Sequence, residues 1–312
     1  MSLFHAGLPF SYAAIGLIFL LGVCITTLVF GIVAGIVFII CIFTGILRIS
    51  PILDAITKCI EFYNPGTLKS IIHNIRESFL VEYPDGTPEP NKPHLFLFHP
   101  HGLLSAANML HIGTDITDWS IRPIKGTALH LLQWLPFGQE ILEKLNFIPS
   151  NYDDMKSVLK GGESLSACLG GVREILYTEP GLMKLSILKK RGAFRLALET
   201  GTPLIPVLSY GENELFQIME TPLLSWIQEK LMKYGLCLPI PTIESWMSWY
   251  GILYKPLENP IRTVIGKAIE VPEAHEPTDQ EIHELREMYF VALKDLYART
   301  RPDSYNKDLN IV

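Results

Sequence analysis

Two histidines separated by a proline stand at the end of an apolar run, and they are the residues of this sequence best suited to proton transfer. The run "HLFLF" covers residues 94–98, and "HPHG" follows at 99–102. Pro100 has no backbone N–H, so a central strand is expected to stop at His99. A neutral imidazole, whose ordinary pKa is about 6.5, is a suitable general base at neutral pH. We expect His99 to be the base and His101 to orient it or donate to a carbonyl oxygen, with the reverse allocation left open.

Two other interpretations of this motif stay open on local grounds. A His-x-His pair can supply two metal ligands, with His94 or His111 as a third, although the sequence has no HExxH motif or cysteine cluster. Alternatively, the four residues form only a polar turn, in which Gly102 permits the tight change of direction. The motif alone does not decide between catalysis, a metal site and a turn.

The elements around the motif alternate between strand-like and helix-like patterns. Apolar strand candidates include "HLFLF", "TPLIPVLSY" at 202–210 and "RTVIGKAIEVP" at 262–272. Helical patterns include "YDDMKSVLKGG" at 152–162, a helix over 192–200 that Gly201 ends, and a long amphipathic helix over 277–300. This alternation predicts an α/β domain with a mostly parallel sheet and flanking helices.

An apolar block precedes this domain. Residues 13–47 contain no charged side chain, and as one helix they would reach roughly 50 Å, too long for a single upright span. Two short helices that fold back on each other fit this length, as does one strongly tilted span. We predict an N-terminal transmembrane helical hairpin in residues 1–50, an interfacial helix and Pro-rich linker in 51–93, and a cytosolic α/β domain in 94–312. The cytosolic orientation follows from the basic residues that come after the block.

Net charge and aromatic distribution bear on the partners. A formal net charge of −6 argues against nucleic acid. Three of the five tryptophans lie between residues 222 and 254, in a region with no clear strand. These aromatic side chains either belong to the core or form an apolar face that touches a bilayer or lines an acyl channel.

A basic run and a polar strand end are further candidates for binding. Lys189, Lys190 and Arg191 precede the helix that starts near Gly192, and a helix N-terminus beside cations suits phosphate. Glu212 and Asn213 follow the next strand and can form a polar rim. A solvated turn is an equal alternative in both places.

Four segments together resemble the type 2 diacylglycerol acyltransferase family, which includes monoacylglycerol acyltransferases and wax synthases. They are "HPHG" at 99–102, "GGVREIL" at 170–176, "KRGAFRLALETGTPLIPVLSYGEN" at 190–213 and "VIGKAIEVP" at 264–272. More distantly, the order of the segments is similar to that of glycerolipid acyltransferases with the HxxxxD motif. The acid of that motif is absent here, because Leu104 and Ala106 occupy the corresponding positions.

The resemblance implies an acyl-CoA:diacylglycerol O-acyltransferase that forms triacylglycerol, with acyl-CoA as a substrate and no cofactor. The same chemistry on monoacylglycerol or a fatty alcohol is the alternative, and a metal-assisted lipid hydrolase or a non-catalytic lipid-droplet protein is a remote one. It implies acylglycerol and the lipid bilayer as partners, allows a homo-oligomer, and implies location at the endoplasmic reticulum membrane and lipid droplets.

The resemblance also assigns residues, with two departures from the family pattern. The implied catalytic residues are His99, His101 and Glu174, the last as the carboxylate that replaces the missing acid; the implied substrate-binding residues are Pro100, Gly102, Arg191, Gly192, Glu212 and Asn213. No metal is expected. The family's Tyr-Phe-Pro triplet is missing, and Asn151 stands where the family tends to have Arg, so no role is carried over to residues 79–84 or 151.

Overall fold

The computed structural model describes residues 51, 58, 65–119, 121, 123–134, 137–233, 237 and 240–312. The hairpin predicted for residues 1–50 lies outside these residues. Within the described part of the chain, none of the helices combines the length and the apolar character that crossing a bilayer requires.

A mixed, mostly parallel sheet of seven strands lies at the centre of the domain, in the order β1-β8-β7-β2-β5-β3-β4. Every neighbouring pair is parallel except β7 and β8. A second, two-stranded sheet pairs β6 with β9. In chain order the strands are β1 (Phe79–Glu82), β2 (Leu95–His99), β3 (Ile124–Ala128), β4 (Phe147–Pro149), β5 (Ser164–Cys168), β6 (Lys184–Leu185), β7 (Leu204–Tyr210), β8 (Ile261–Ile265) and β9 (Asn310–Ile311).

Helices cover both faces of this sheet, which confirms the predicted α/β class. The α-helices are α1 (Pro65–Ser78), α2 (Ala106–Gly113), α3 (Gly138–Lys144), α4 (Tyr152–Lys160), α5 (Gly192–Thr200), α6 (Glu212–Leu215), α7 (Pro222–Met232), α8 (Ile243–Gly251) and α9 (Asp279–Thr300). Two 3₁₀ helices span His130–Trp134 and Gly171–Tyr177. The helix predicted over 192–200 and its Gly201 end are confirmed to the residue.

The central strand β2 shows why the sequence lacks the usual alternation of apolar and polar residues. All five of its residues are buried, because helices pack on both faces of the sheet. Leu95 and Leu97 enter the core formed with α4, α5 and α9, whereas Phe96 and Phe98 enter the core on the opposite face. His99 continues the first set and therefore points toward α9.

The domain starts earlier than the boundary predicted at residue 94. Strand β1, at Phe79–Glu82, pairs in parallel with β8 at the sheet edge, and the Glu82 carboxylate accepts two hydrogen bonds from the Arg262 guanidinium. The part of the linker around residues 79–82 is therefore part of the sheet. A four-residue strand next to a Pro-rich segment carries too little periodicity to be distinguished from a linker.

The long helix α9 begins with a capping box. Thr278 Oγ1 accepts a hydrogen bond from the backbone N–H of Glu281, and the Glu281 carboxylate accepts one from the backbone N–H of Thr278. Replacing Thr278 with alanine should lower the free energy of unfolding by about 1 kcal/mol, whereas T278S should keep most of it. Chemical denaturation of the full chain in detergent checks this. Equal stability of the two variants would show that the box does not support α9.

Candidate active site

A tight turn joins β2 to α2 at the carboxyl edge of the sheet. Strand β2 ends at His99, as Pro100 predicts, and the chain reaches α2 through left-handed residues at Gly102 (φ 57°) and Ser105 (φ 52°). A Cβ atom at Gly102 would lie 2.6 Å from the Cγ of Glu212. Glycine is therefore required at this position both by the backbone conformation and by the close approach of a buried carboxylate.

His99 lies inside the core rather than at an open surface. Its side chain is fully buried, and its Nε2 is hydrogen-bonded to the Tyr289 hydroxyl on α9 at 2.8 Å. Its Nδ1 has no hydrogen-bond partner among the described residues. Burial lowers the pKa of His99 to about 3, so the ring is neutral at physiological pH. A substrate hydroxyl cannot reach this ring without displacing Tyr289 or the surrounding core.

His101 is the more accessible of the two rings. It is partly exposed, and its Nδ1–H donates to the carbonyl oxygen of Gly102 at 2.9 Å. That hydrogen bond leaves the lone pair of Nε2 available for a proton. Burial of part of the ring lowers the pKa of His101 below its ordinary value, which keeps the imidazole neutral. Geometry and charge state thus both suit His101 for the role of a general base.

Glu174 reaches the turn from the second 3₁₀ helix, where a neighbouring strand end was expected, and it contacts the backbone and not an imidazole. Its Oε2 accepts a hydrogen bond from the backbone N–H of His101 at 2.9 Å, and its Oε1 accepts one from the backbone N–H of Ser186 at 2.9 Å. A Cβ atom at Gly170 would lie 1.9 Å from this carboxyl group, which explains a glycine there. Burial raises the pKa of Glu174 to about 7, although the two hydrogen bonds act to lower it.

Glu212 holds the other end of the same turn. Its two carboxylate oxygens accept hydrogen bonds from the backbone N–H groups of Ala106 (2.6 Å) and Ala107 (3.0 Å), in the first turn of α2. These N–H groups have no partner within the helix, and a carboxylate is favourable there. Burial raises the pKa of Glu212 to about 7. Glu212 is therefore a positioning residue at the turn, in place of the rim residue that the sequence suggested.

The remaining predicted residues do not all meet at the turn. Arg191, the residue before α5, forms an ion pair with Asp279 at the start of α9. The Asn213 side chain donates to the Leu182 carbonyl oxygen. Gly192 begins α5, and a Cβ atom there would meet no atom within 4 Å. Lys190 lies close enough to Glu174 to interact with it electrostatically: burial and then Arg173 lower the pKa of Lys190, and Glu174 opposes the change.

The structure adds side chains that the sequence analysis missed. Cys168 ends β5 beside β2, and its Sγ lies 2.8 Å from Ser105 Oγ in the turn and 3.6 Å from the side-chain amide of Asn108. Burial raises the pKa of this thiol to about 12, so it remains protonated and is a poor nucleophile. Tyr289 and Cys168 were detectable only as members of an apolar helix face and an apolar strand, which carry no chemical signal.

The candidate metal ligands do not assemble in the part of the chain that the structure describes, where no group of three or more His, Cys, Asp or Glu is placed to hold an ion. His94 lies at the opposite end of β2 from His99. The two ring nitrogens of His111 are hydrogen-bonded to the hydroxyls of Thr117 and Thr263. Neither proposed third ligand is directed at the His-Pro-His-Gly turn.

A mostly parallel sheet with a partly exposed histidine and buried carboxylates at its carboxyl edge defines an α/β enzyme domain. The family profile described as diacylglycerol acyltransferase matches residues 71–311, a range that includes every residue of this site. The chain belongs to the diacylglycerol acyltransferase family.

Individual relatives agree with this assignment. The chain is 29% identical to diacylglycerol O-acyltransferase 2 of Dictyostelium discoideum (70% of this chain, 69% of the relative), 30% to 2-acylglycerol O-acyltransferase 1 of Homo sapiens (67% and 65%), and 30% to diacylglycerol O-acyltransferase 2A of Umbelopsis ramanniana (70% and 65%). The matches thus span about two thirds of each relative's length.

The crystal structure of a 1-acyl-sn-glycerophosphate acyltransferase from Thermotoga maritima covers 80% of this chain and 93% of its own, with 14% identity and a TM-score of 0.43.

The buried Glu212 carboxyl predicts a pH dependence of stability. Its folded-state pKa of about 7 lies above the ordinary value of 4.5, so the fold favours the protonated form. The stability that this group contributes is complete below about 4.5 and is lost as pH rises through about 7. In E212Q, the temperature midpoint of unfolding should decrease less between pH 4.5 and about 7 than it does in the wild type, as measured by thermal unfolding in detergent. The exposed-site control E284Q should keep the wild-type slope, and an unchanged slope in E212Q would contradict the assignment.

Proposed function

We propose that this chain is an acyl-CoA:diacylglycerol O-acyltransferase that forms triacylglycerol. The observation that carries the proposal is the family match over residues 71–311, which contains the whole His-Pro-His-Gly turn and both carboxylates that hold it. Relatives named diacylglycerol O-acyltransferase 2 support diacylglycerol as the acceptor. The proposed reaction uses the two substrates alone and needs no cofactor.

His101 is the base in this mechanism. Its Nε2 takes the proton from the acceptor hydroxyl while the hydroxyl oxygen attacks the thioester carbonyl carbon. The carbon–sulfur bond then breaks, and the CoA thiolate leaves and receives the proton from His101. A thiolate is a good leaving group, so alignment and proton transfer supply most of what the reaction needs, and no covalent enzyme intermediate is required.

The choice of His101 over His99 rests on access and on the partners of each ring. His99 is fully buried and bonded to Tyr289, whereas His101 is partly exposed with Nε2 free for the substrate. Sequence alone favoured His99 and left the reverse allocation open. The geometry favours the reverse, with His99 as the residue that packs the end of β2 against α9.

The two carboxylates act on the base through the backbone. Glu174 holds the His101 amide, and Glu212 holds the first turn of α2, so the ring has a fixed position relative to the sheet edge. Lys190 interacts electrostatically with Glu174 and lies just before the N-terminus of α5 at Gly192. A helix N-terminus beside a cation suits an anion, so we assign both to the phosphates of CoA. Arg191 directly precedes that helix, and we include it in the same phosphate-binding site.

We further propose that residues 1–50 form a membrane hairpin, with the α/β domain in the cytosol at the endoplasmic reticulum and lipid droplets. The 35-residue uncharged stretch at 13–47 and the basic residues that follow it support this orientation. The acceptor, an acylglycerol with two long chains, resides in the same membrane.

Monoacylglycerol is the second candidate acceptor. Two relatives with this chemistry, 2-acylglycerol O-acyltransferase 1 of Homo sapiens and of Bos taurus, are 30% and 33% identical to this chain. The diacylglycerol relatives are 29–30% identical, which is nearly the same. Acceptor choice depends on the shape of the pocket, which overall identity does not report.

A direct acceptor comparison tests the proposed function. Microsomes that contain the chain should transfer label from oleoyl-CoA to diacylglycerol faster than to monoacylglycerol or a fatty alcohol, and H101A microsomes should not. Predominant labelling of diacylglycerol from monoacylglycerol would support the second candidate. Release of free fatty acid without an acceptor, abolished by a chelator, would contradict acyl transfer and favour a metal-assisted hydrolase.

The two histidines should respond differently to mutation. H101A should lower kcat by about 10²- to 10⁴-fold without loss of protein, because the general base is removed. Y289F removes the partner of the His99 ring; it should lower the free energy of unfolding by about 1–2 kcal/mol and leave kcat within a few-fold of wild type. Turnover and thermal unfolding of the purified variants check both. A catalytic defect in Y289F as large as that in H101A would return the base to His99.

A further inference from the structure

Two helices outside the catalytic turn present an unusually apolar outer surface. On α7, Leu223 and Trp226 are 66% and 57% exposed; on α8 and the residues after it, the exposed side chains are Ile243 (71%), Trp246 (37%), Met247 (67%), Tyr250 (57%), Leu253 (43%) and Tyr254 (85%). We call these eight side chains the aromatic face. Large apolar patches of this kind on a folded domain mark a surface that another phase or partner covers.

The two helices start side by side. Residues 217–219, just before α7, pair with residues 240–242, just before α8: the N–H of Met219 donates to the Ile240 carbonyl, and the N–H of Thr242 donates to the Gln217 carbonyl. Thr221 and Thr242 then cap the two helices. The first turns of the two helices, with their exposed side chains, thus lie close to each other on the surface.

The inner side of α8 packs against other elements of the domain. Trp249 lies against the Phe79 and Phe216 rings at centroid distances of 6.4 and 5.7 Å, and Ile252 is buried in the same cluster. Ile75 of α1 packs against this cluster too. Trp246 also contacts the Phe216 ring, at a centroid distance of 5.6 Å, and is the least exposed of the eight residues. Packing among the described residues leaves each of the other seven 43–85% exposed.

The position of α1 indicates which phase covers the aromatic face. The uncharged stretch at 13–47 ends 18 residues before α1 begins at Pro65. At its other end, α1 reaches Ser78, whose hydroxyl accepts a hydrogen bond from the N–H of Leu257, a few residues beyond the aromatic face. The end of α1 thus lies next to the segment that follows α8, and the sequence places the uncharged stretch a short distance before α1.

The side-chain types also fit a lipid–water boundary. Trp and Tyr favour this boundary because each combines an apolar ring with a polar tip. The ammonium group of Lys230 lies 5.8 Å from the centroid of the Trp226 ring, an arrangement in which a lysine stem covers apolar surface while its charge stays in water. Glu229 and Glu244 are exposed nearby, so apolar burial, and not attraction to anionic lipid, is the driving force.

We propose that the aromatic face of α7 and α8 docks into the surface of the lipid bilayer, as a membrane contact of the α/β domain itself and distinct from the N-terminal block. A cleft of about 910 Å³ lies between α7 and the 3₁₀ helix that carries Glu174, and Leu176, Met219 and Leu224 are among its lining residues. Insofar as the acyl transfer proposed above holds, docking brings the mouth of this cleft to the membrane in which the acceptor resides.

Lipid quenching of tryptophan emission tests the docking without reference to activity. The full chain is reconstituted into phosphatidylcholine vesicles with brominated or ordinary acyl chains, and the emission lost in the double variant W226F/W246F is taken as the signal of the aromatic face. Brominated lipid should reduce that signal by about half or more, because interfacial side chains lie at the depth of the upper acyl chains, and acrylamide in the water should reduce it little.

W119F is the matched control, since Trp119 is buried against the Phe96 and Phe98 rings in the sheet core and its emission should respond to neither quencher. Quenching of the aromatic-face signal by acrylamide and not by brominated lipid would overturn the proposal, because the face would then lie in water. Protection from both quenchers would also overturn it, because a second copy of the chain or another protein would then cover the face.

Discussion

Two buried carboxylates hold the turn that follows the central strand, and the geometry of the site depends on them. Each carboxylate accepts two backbone N–H bonds: Glu174 from His101 and Ser186, and Glu212 from Ala106 and Ala107. Such groups are costly to bury, and burial raises the pKa of each to about 7. Glycines make room for them, because side chains at 102 and 170 would collide with the carboxyl groups.

This arrangement separates the two histidines of the motif by environment. His99 is the last residue of a fully buried strand, and its partner comes from the opposite layer, the tyrosine at 289 on α9. His101 lies beyond the end of the sheet, where its own Nδ1–H is occupied by the next carbonyl and its Nε2 is free. A motif of four residues thus contains one histidine that is buried in the core and one that is partly exposed to solvent.

Much of the fold followed from local sequence patterns. The strand before Pro100, the helix over 192–200 with its glycine end, and the long terminal helix α9 each carry strong periodicity or a clear stop signal, and all three are confirmed. Strand β1 was missed because four residues between a helix and a Pro-rich segment have no period to detect. The antiparallel direction of β8 relative to β7 could not be predicted from local sequence either, because the direction of a strand depends on how the chain connects it to its neighbours in space.

The sequence predicted which residues belong to the site better than it predicted the contacts that they make. Glu174 does reach the histidine turn from 73 positions away, yet its bond is to a backbone amide, which leaves no trace in residue types. Glu212 had been assigned to the rim of the pocket by its place after a strand. Its contact with α2 depends on the crossing of two elements that are 106 residues apart. Hydrogen bonds to backbone groups are invisible to any motif, so this part of the site required the structure.

The turnover of E174Q, compared with its stability, tests this account most directly. Glutamine offers one acceptor oxygen where the carboxylate offers two, so one of the two N–H groups would face an amide donor and the turn would shift. We expect kcat to fall at least about 10-fold, because small misplacements of a base are costly, while the KM for acyl-CoA stays near wild type. The free energy of unfolding should fall by about 1–3 kcal/mol, because one buried N–H loses its acceptor, and the variant should still fold. Near-full turnover with normal abundance would contradict the claim that the buried carboxylate positions His101.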